Sequence, residues 1–152
     1  MGRYYKEKIY EDKTVKGLRI TTGVLFFIQV IMTTFPFIIQ YDEAGNIYEM
    51  TAFQMFIQVG GYQSSSAVLL ALIAAIFVVF PIVAFFFCIL DKKSTVKYLV
   101  SALCCIICAL LITFGIGTDI ASGSLISLLL YVLILFLTML GLGMYQKHKN
   151  DK

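Results

Sequence analysis

The chain of 152 residues contains no Trp, a single His and only two Pro. It also has no charged residue in three long stretches, Ala67 to Leu90, Tyr98 to Ile116 and Leu125 to Tyr145. A fourth stretch, Ile20 to Ile39, is equally uncharged, though it holds several Thr and Gln29. Each absence removes a class of function. With no Asp, Glu, Lys, Arg or His inside an apolar run, there is no buried carboxylate of the kind a proton-coupled carrier uses. The lone His148 stands in a basic tail, far from any set of thiols that would complete a zinc site. No Walker, nucleophile-elbow, zincin, dinucleotide or EF-hand pattern occurs. Without Trp, the amphipathic belts at the two membrane surfaces fall to Tyr, with Tyr41, Tyr48 and Tyr62 at one level and Tyr98 and Tyr145 at the other.

What is present is apolar and continuous. Hydrophobic residues make up 60% of the chain, charged residues 14%, and the mean hydropathy is +0.90. About 20 residues at 1.5 Å each cross a hydrocarbon core of ~30 Å. The sequence therefore predicts four spans, 18–40, 66–90, 96–116 and 124–145, in a single all-α membrane domain. The links Asp91–Thr95 and Gly117–Gly123 are short, so consecutive spans are neighbours in an up-down-up-down four-helix bundle. The first span has a basic front but no small-residue cleavage site, which reads as an anchor that stays in the protein.

Charge is distributed with one sign on each side. All twelve Lys and Arg residues lie in the first, third and fifth polar pieces, and the second and fourth hold only Asp42, Glu43, Glu49 and Asp119. The basic side carries +7 and the other side −4. Short Lys- and Arg-rich segments stay cytoplasmic. Both termini are expected to face the cytoplasm of a plasma (inner) membrane. The basic residues then serve topology and anionic head groups, leaving no surface for nucleic acid.

The outer loop 41–65 is the one sizeable piece outside the spans. Asp42-Glu43-Ala44-Gly45-Asn46 is turn-forming and predicts a small hairpin between Ile38–Tyr41 and Ile47–Met50. Thr51 and Gln54 have capping-box spacing. Met50, Phe53, Phe56 and Ile57 then recur at helical spacing up to Gly60-Gly61, predicting a short interfacial helix. Phe53, Gln54, Phe56 and Ile57 are the candidate interaction surface. Ser64-Ser65-Ser66 supplies a cap for the second span, and Ser94 or Thr95 one for the third.

Within the spans, Cys105 and Cys108 form a C-x-x-C beside Cys104, with Cys88 one span earlier. Four-span membrane thiol oxidoreductases carry such a pair, but at the outer face and with exchangeable cysteines in an outer loop. Both outer loops here lack Cys. Thiols in hydrocarbon resist ionisation, so packing is the preferred role and redox chemistry the alternative. Ser101, Cys105 and Ala109 recur every fourth residue, as do Ala67, Ala71 and Ala75, the small-residue pattern of close helix contacts. Gly141 and Gly143 extend it to the fourth span. Gln29, Thr33 and Thr34 are the polar residues of the first span, candidates for a helix contact or a neutral polar pathway. Pro81 and Pro36 are expected to kink their spans.

Four spans with a larger first outer loop give a layout that resembles tetraspan scaffold proteins such as claudins. The Trp and disulfide pair of that loop are absent, so the resemblance is one of layout alone. The expected function is a non-enzymatic membrane protein without cofactor or metal. It acts by helix packing with itself or another membrane protein and through its outer loop. An oligomeric channel or small transporter is the alternative, and a thiol oxidoreductase using Cys105 and Cys108 the third.

Overall fold

A computed structural model of the chain describes residues 13–41, 44–58, 65–91, 95–116 and 120–150. In chain order these form α1 (Lys13–Met32), β1 (Pro36–Tyr41), β2 (Ile47–Thr51), α2 (Ala52–Gln58), α3 (Ser65–Leu90), α4 (Val96–Leu110) with a wider π-helical turn over Leu111–Ile116, and α5 (Ser122–Asn150). Four helical segments are long and apolar enough to cross a membrane: Lys13–Met32, Ala71–Leu90, Val96–Gly115 and Ser122–Lys147. The long helices close into a ring, α1 against α3, α3 against α4, α4 against α5 and α5 back against α1.

The first span corrects the sequence reading, which ran one helix from 18 to 40. The helix stops at Met32. Thr33, Thr34 and Phe35 fold into tight turns, their N–H groups donating to Val30, Ile31 and Met32 carbonyls three residues back. Pro36 then has no N–H to offer and disfavours a helical conformation at Phe35. The chain leaves as a strand, where Phe37, Ile38 and Ile39 fit the pleat. Apolarity alone does not separate strand from helix over so short a run.

β1 and β2 pair antiparallel, from Tyr41 opposite Ile47 to Pro36 opposite Thr51, with a bulge between Pro36 and Ile38. Gly45 turns the chain between them with φ +80°, a conformation that favours glycine. Thr51 then starts α2 through the reciprocal pair the spacing predicted. The Thr51 N–H donates to Gln54 Oε1 at 2.9 Å and the Gln54 N–H to Thr51 Oγ1 at 3.1 Å.

Of the expected kinks, Pro36 falls outside α1, while α3 runs helical through Pro81 to Leu90. Thr95 stands at the start of α4 without a side-chain cap bond. Instead the Lys97 N–H donates to the Asp91 carboxylate at 3.4 Å, so Asp91 does the capping from six residues upstream. The predicted caps at Ser64 and Ser94 lie outside the described residues.

The core is built on Phe26, Phe37, Phe77, Ile112 and Ile134, with the Phe37 and Phe77 rings 4.7 Å apart. That contact anchors the hairpin to α3. The start of α5 holds it from the other side, through the Ala121 N–H to Phe37 O at 3.3 Å. Gly123 permits this approach, since a Cβ there would stand 2.2 Å from Pro36 O.

Candidate functional site

Most polar side chains of the helical ring lie inside it beside the apolar core, and its outside is covered by further large apolar ones. Buried are Arg19, Thr22, Gln29, Thr33, Lys97, Ser101, Ser124, Ser127 and Thr138, while Leu69, Leu72, Leu90, Leu129 and Phe136 are among many exposed apolar residues. A helix apolar on its exposed face is matched to lipid rather than water. Most of the buried polar groups find backbone acceptors. Thr22, Thr33, Ser124 and Thr138 return their hydroxyls to carbonyls three or four residues back.

At the Lys-bearing end two buried cations close α3. Arg19 Nη1 donates to Cys88 O at 2.8 Å and Ile89 O at 3.2 Å, and Lys97 Nζ donates to Asp91 O at 3.1 Å. The last carbonyls of a helix lack intrahelical partners and carry its negative dipole end. A cation there satisfies both. Charge counting places Arg19 and Lys97 on the basic side but gives no sign that they are buried. Tyr98 lies against this group, its ring 6.3 Å from Tyr145, with Gly141 opposite. A Cβ on Gly141 would stand 2.7 Å from Tyr98 Cε1, whereas one on Gly143 would meet nothing within 4 Å. Only the first glycine is at a helix contact.

From that end toward the middle, Cys88, Cys104, Cys105 and Cys108 are all buried free thiols. Cys88 Sγ lies 3.4 Å from Ser101 Oγ. Cys108 lies close to Cys104, one turn back, and to Tyr131, a neighbour on α5 that the spacing of cysteines did not indicate. Among the described residues no group of three or more His, Cys, Asp and Glu is placed to hold a metal ion. Of the small-residue series, Ser101, Cys105 and Ala71 are buried, and Ala75 and Ala109 are half-buried. The Ala67 side chain lies outside the described set.

Gln29 is 1% exposed and reaches from α1 to α5, donating from Nε2 to Ser127 O at 2.8 Å. Its Oε1 is buried without a hydrogen-bond partner. Thr33 is buried nearby in sequence, but Thr34 is exposed and bonded to Ile31 O. Gln29 in α1 and Thr33 and Thr34 in the turns that follow it therefore do not share one face.

The hairpin end has no basic residue between Arg19 and Lys92. α2 packs on α3 and buries Ala52 and Met55. This corrects the expected single apolar face, because Met50 is buried whereas Phe53 and Ile57 point away, 53% and 60% exposed. The side chain of Phe56 is not among those described. With Tyr41, Ile47 and Tyr48, these residues leave a formed element carrying five large exposed apolar side chains. Gln54 is exposed too, but its carboxamide is committed to the cap.

Hairpin, short helix and four helices fit to cross a membrane define a mostly helical candidate membrane protein. Compared with known protein families, curated proteins and solved structures, the chain matches none.

Proposed function

We propose that the chain is a non-enzymatic multi-pass protein of the plasma membrane. It is threaded up-down-up-down with both termini cytoplasmic and acts as a scaffold or accessory subunit through its outer hairpin and α2. The observation that carries this reading is the exposed apolar set Tyr41, Ile47, Tyr48, Phe53 and Ile57 on an element held firm by ladder, cap and core contacts. Such a set on a rigid support marks a contact with a protein or with the membrane surface, and the scaffold reading takes Phe53 and Ile57 as the protein-facing part. The threading is supported by the order of contacts between α1 and α3. Arg19 meets Cys88, Phe27 meets Phe85, and Phe37 just beyond α1 meets Phe77, so the two run in opposite directions. Burial of all four thiols leaves a thiol exchange partner no direct approach, which weighs against the oxidoreductase.

One observation favours the channel alternative, the unpartnered Oε1 of Gln29. Reconstitution into liposomes separates the two readings. A scaffold passes no solute, and Gln29→Leu changes nothing. Solute flux that Gln29→Leu alters would overturn the scaffold. In native membranes, mild crosslinking is expected to trap a discrete complex that Phe53→Ala with Ile57→Ala depletes severalfold.

A further inference from the structure

The outer sheet has two strands and therefore two edges, and they differ. The far edge of β1 is engaged by the start of α5, through the Ile38–Ile120 bridge and the Ala121 N–H. The far edge of β2 pairs with nothing among the described residues. In an antiparallel strand every second residue turns its N–H and C=O away from the partner, so β2 turns those of Ile47 and Glu49 outward, while the Thr51 N–H on that side is taken by Gln54 Oε1. Natural edges are usually guarded by Lys, Pro or a bulge. β2 reads Ile47-Tyr48-Glu49-Met50-Thr51, with no Lys and no Pro, and the one bulge lies in β1. Its only charge is the exposed Glu49.

Charge then selects the occupant. The outer pieces hold four acidic residues and no basic one. An in-register antiparallel pairing of β2 with a second copy would set Glu49 against Glu49, and like charges directly opposite are destabilising. An extended basic segment meets the opposite situation. We propose that the free edge of β2 takes, as a third strand, an extended segment from the outer part of a second membrane protein, with Lys or Arg opposite Glu49. Two residues along, on the same face, that segment carries an apolar side chain against Ile47. On the other face a β-branched or aromatic residue lies against Tyr48. Main-chain hydrogen bonds supply affinity and the alternating side chains supply selectivity. The inference rests on the scaffold reading and names the chemistry of its partner.

The test uses the full chain in nanodiscs of zwitterionic lipid, which does not itself attract a cation. The probe is a labelled heptapeptide, Thr-Ile-Val-Lys-Val-Ile-Thr, palindromic so that either strand direction presents the same pattern. Fluorescence anisotropy is expected to show saturable binding. Replacing its Lys by Glu, or Glu49 by Lys in the protein, weakens binding about tenfold, and the two changes together restore it. The variant Thr-Pro-Pro-Lys-Pro-Pro-Thr keeps the charge but loses ladder N–H groups in either strand direction, and is expected not to bind. Equal binding of the Pro peptide, or indifference to Glu49→Lys, would overturn the proposal. A Tyr48→Cys protein that oxidises to a homodimer in the nanodisc would overturn it in favour of a second copy. Failure here with sealed, flux-free liposomes removes the strand partner but not the scaffold, whereas solute flux removes the scaffold itself.

Discussion

The two ends of this helical ring finish their backbones in opposite ways. At the basic end, the terminal carbonyls of α3 are met by side chains, with Arg19 on Cys88 and Ile89 and Lys97 on Asp91. Both cations are buried in doing so, and Tyr98 packs beside them. At the hairpin end, backbone meets backbone through the β1–β2 ladder and the Ala121 contact, and large apolar side chains are left outside. One end uses its charge to close itself. The other closes half of its sheet and leaves an edge. Charge asymmetry is usually read as orientation alone. Here it also separates an end whose helix carbonyls are met by side-chain cations from an end that leaves large apolar side chains and one sheet edge outside among the described residues.

This contrast can be broken most severely at Gly123. Its missing Cβ makes room for the Pro36 carbonyl, a backbone atom that cannot move without moving the hairpin. Gly123→Ala is expected to destabilise the fold by about 3 kcal/mol, measured by SDS titration in mixed micelles, and to abolish trapping of the crosslinked complex. Should the variant be as stable as the parent, the hairpin is not seated on α5 and the two ends are not comparable. At the basic end the corresponding change is Arg19→Met, which keeps the length of the side chain and removes its donors. Two carbonyls lose a charge-assisted hydrogen bond, and the expected cost is about 2 kcal/mol. Outer-end crosslinking should survive this variant, because nothing in the hairpin touches Arg19.

Legibility in the sequence followed the range of the interaction. The hairpin turn at Gly45 and the Thr51–Gln54 cap are formed by residues within a few positions of each other, and their spacing announced them. The end of α1 was less legible, because Phe35 to Ile39 is as apolar as a helix requires and only Pro36 argued against one. Rotation of α2 was misjudged for a further reason. Periodicity picks out the aromatic and branched side chains, but packing on α3 takes Ala52 and Met55 and turns Phe53 and Ile57 outward. The candidate site was half visible. Gln29 stood out as an amide in an apolar run, although its contact with Ser127 depends on how α1 meets α5. Arg19 and Tyr131 gave no local signal, since burial of a cation or a hydroxyl is decided by carbonyls 69 and 70 residues away for Arg19 and by a separate helix for Tyr131.

The finest test of the closed end uses two glycines on one helix. Gly141 and Gly143 lie two residues apart in α5, and Ala favours a helix over Gly at either position by about 1 kcal/mol. At Gly143 a Cβ meets nothing within 4 Å, so Gly143→Ala should stabilise the protein by up to that amount. At Gly141 the same Cβ would come within 2.7 Å of the Tyr98 ring. That ring is buried, packed near Tyr145 and under Lys97, so it cannot swing away freely. Overpacking should outweigh propensity, and Gly141→Ala is expected to cost about 1 kcal/mol net. The opposite signs of two identical substitutions are the informative quantity, read as a difference in SDS midpoint between the variants. If both stabilise, Tyr98 yields without cost, the basic end is as open as the hairpin end, and its closure rests on Arg19 and Lys97 alone.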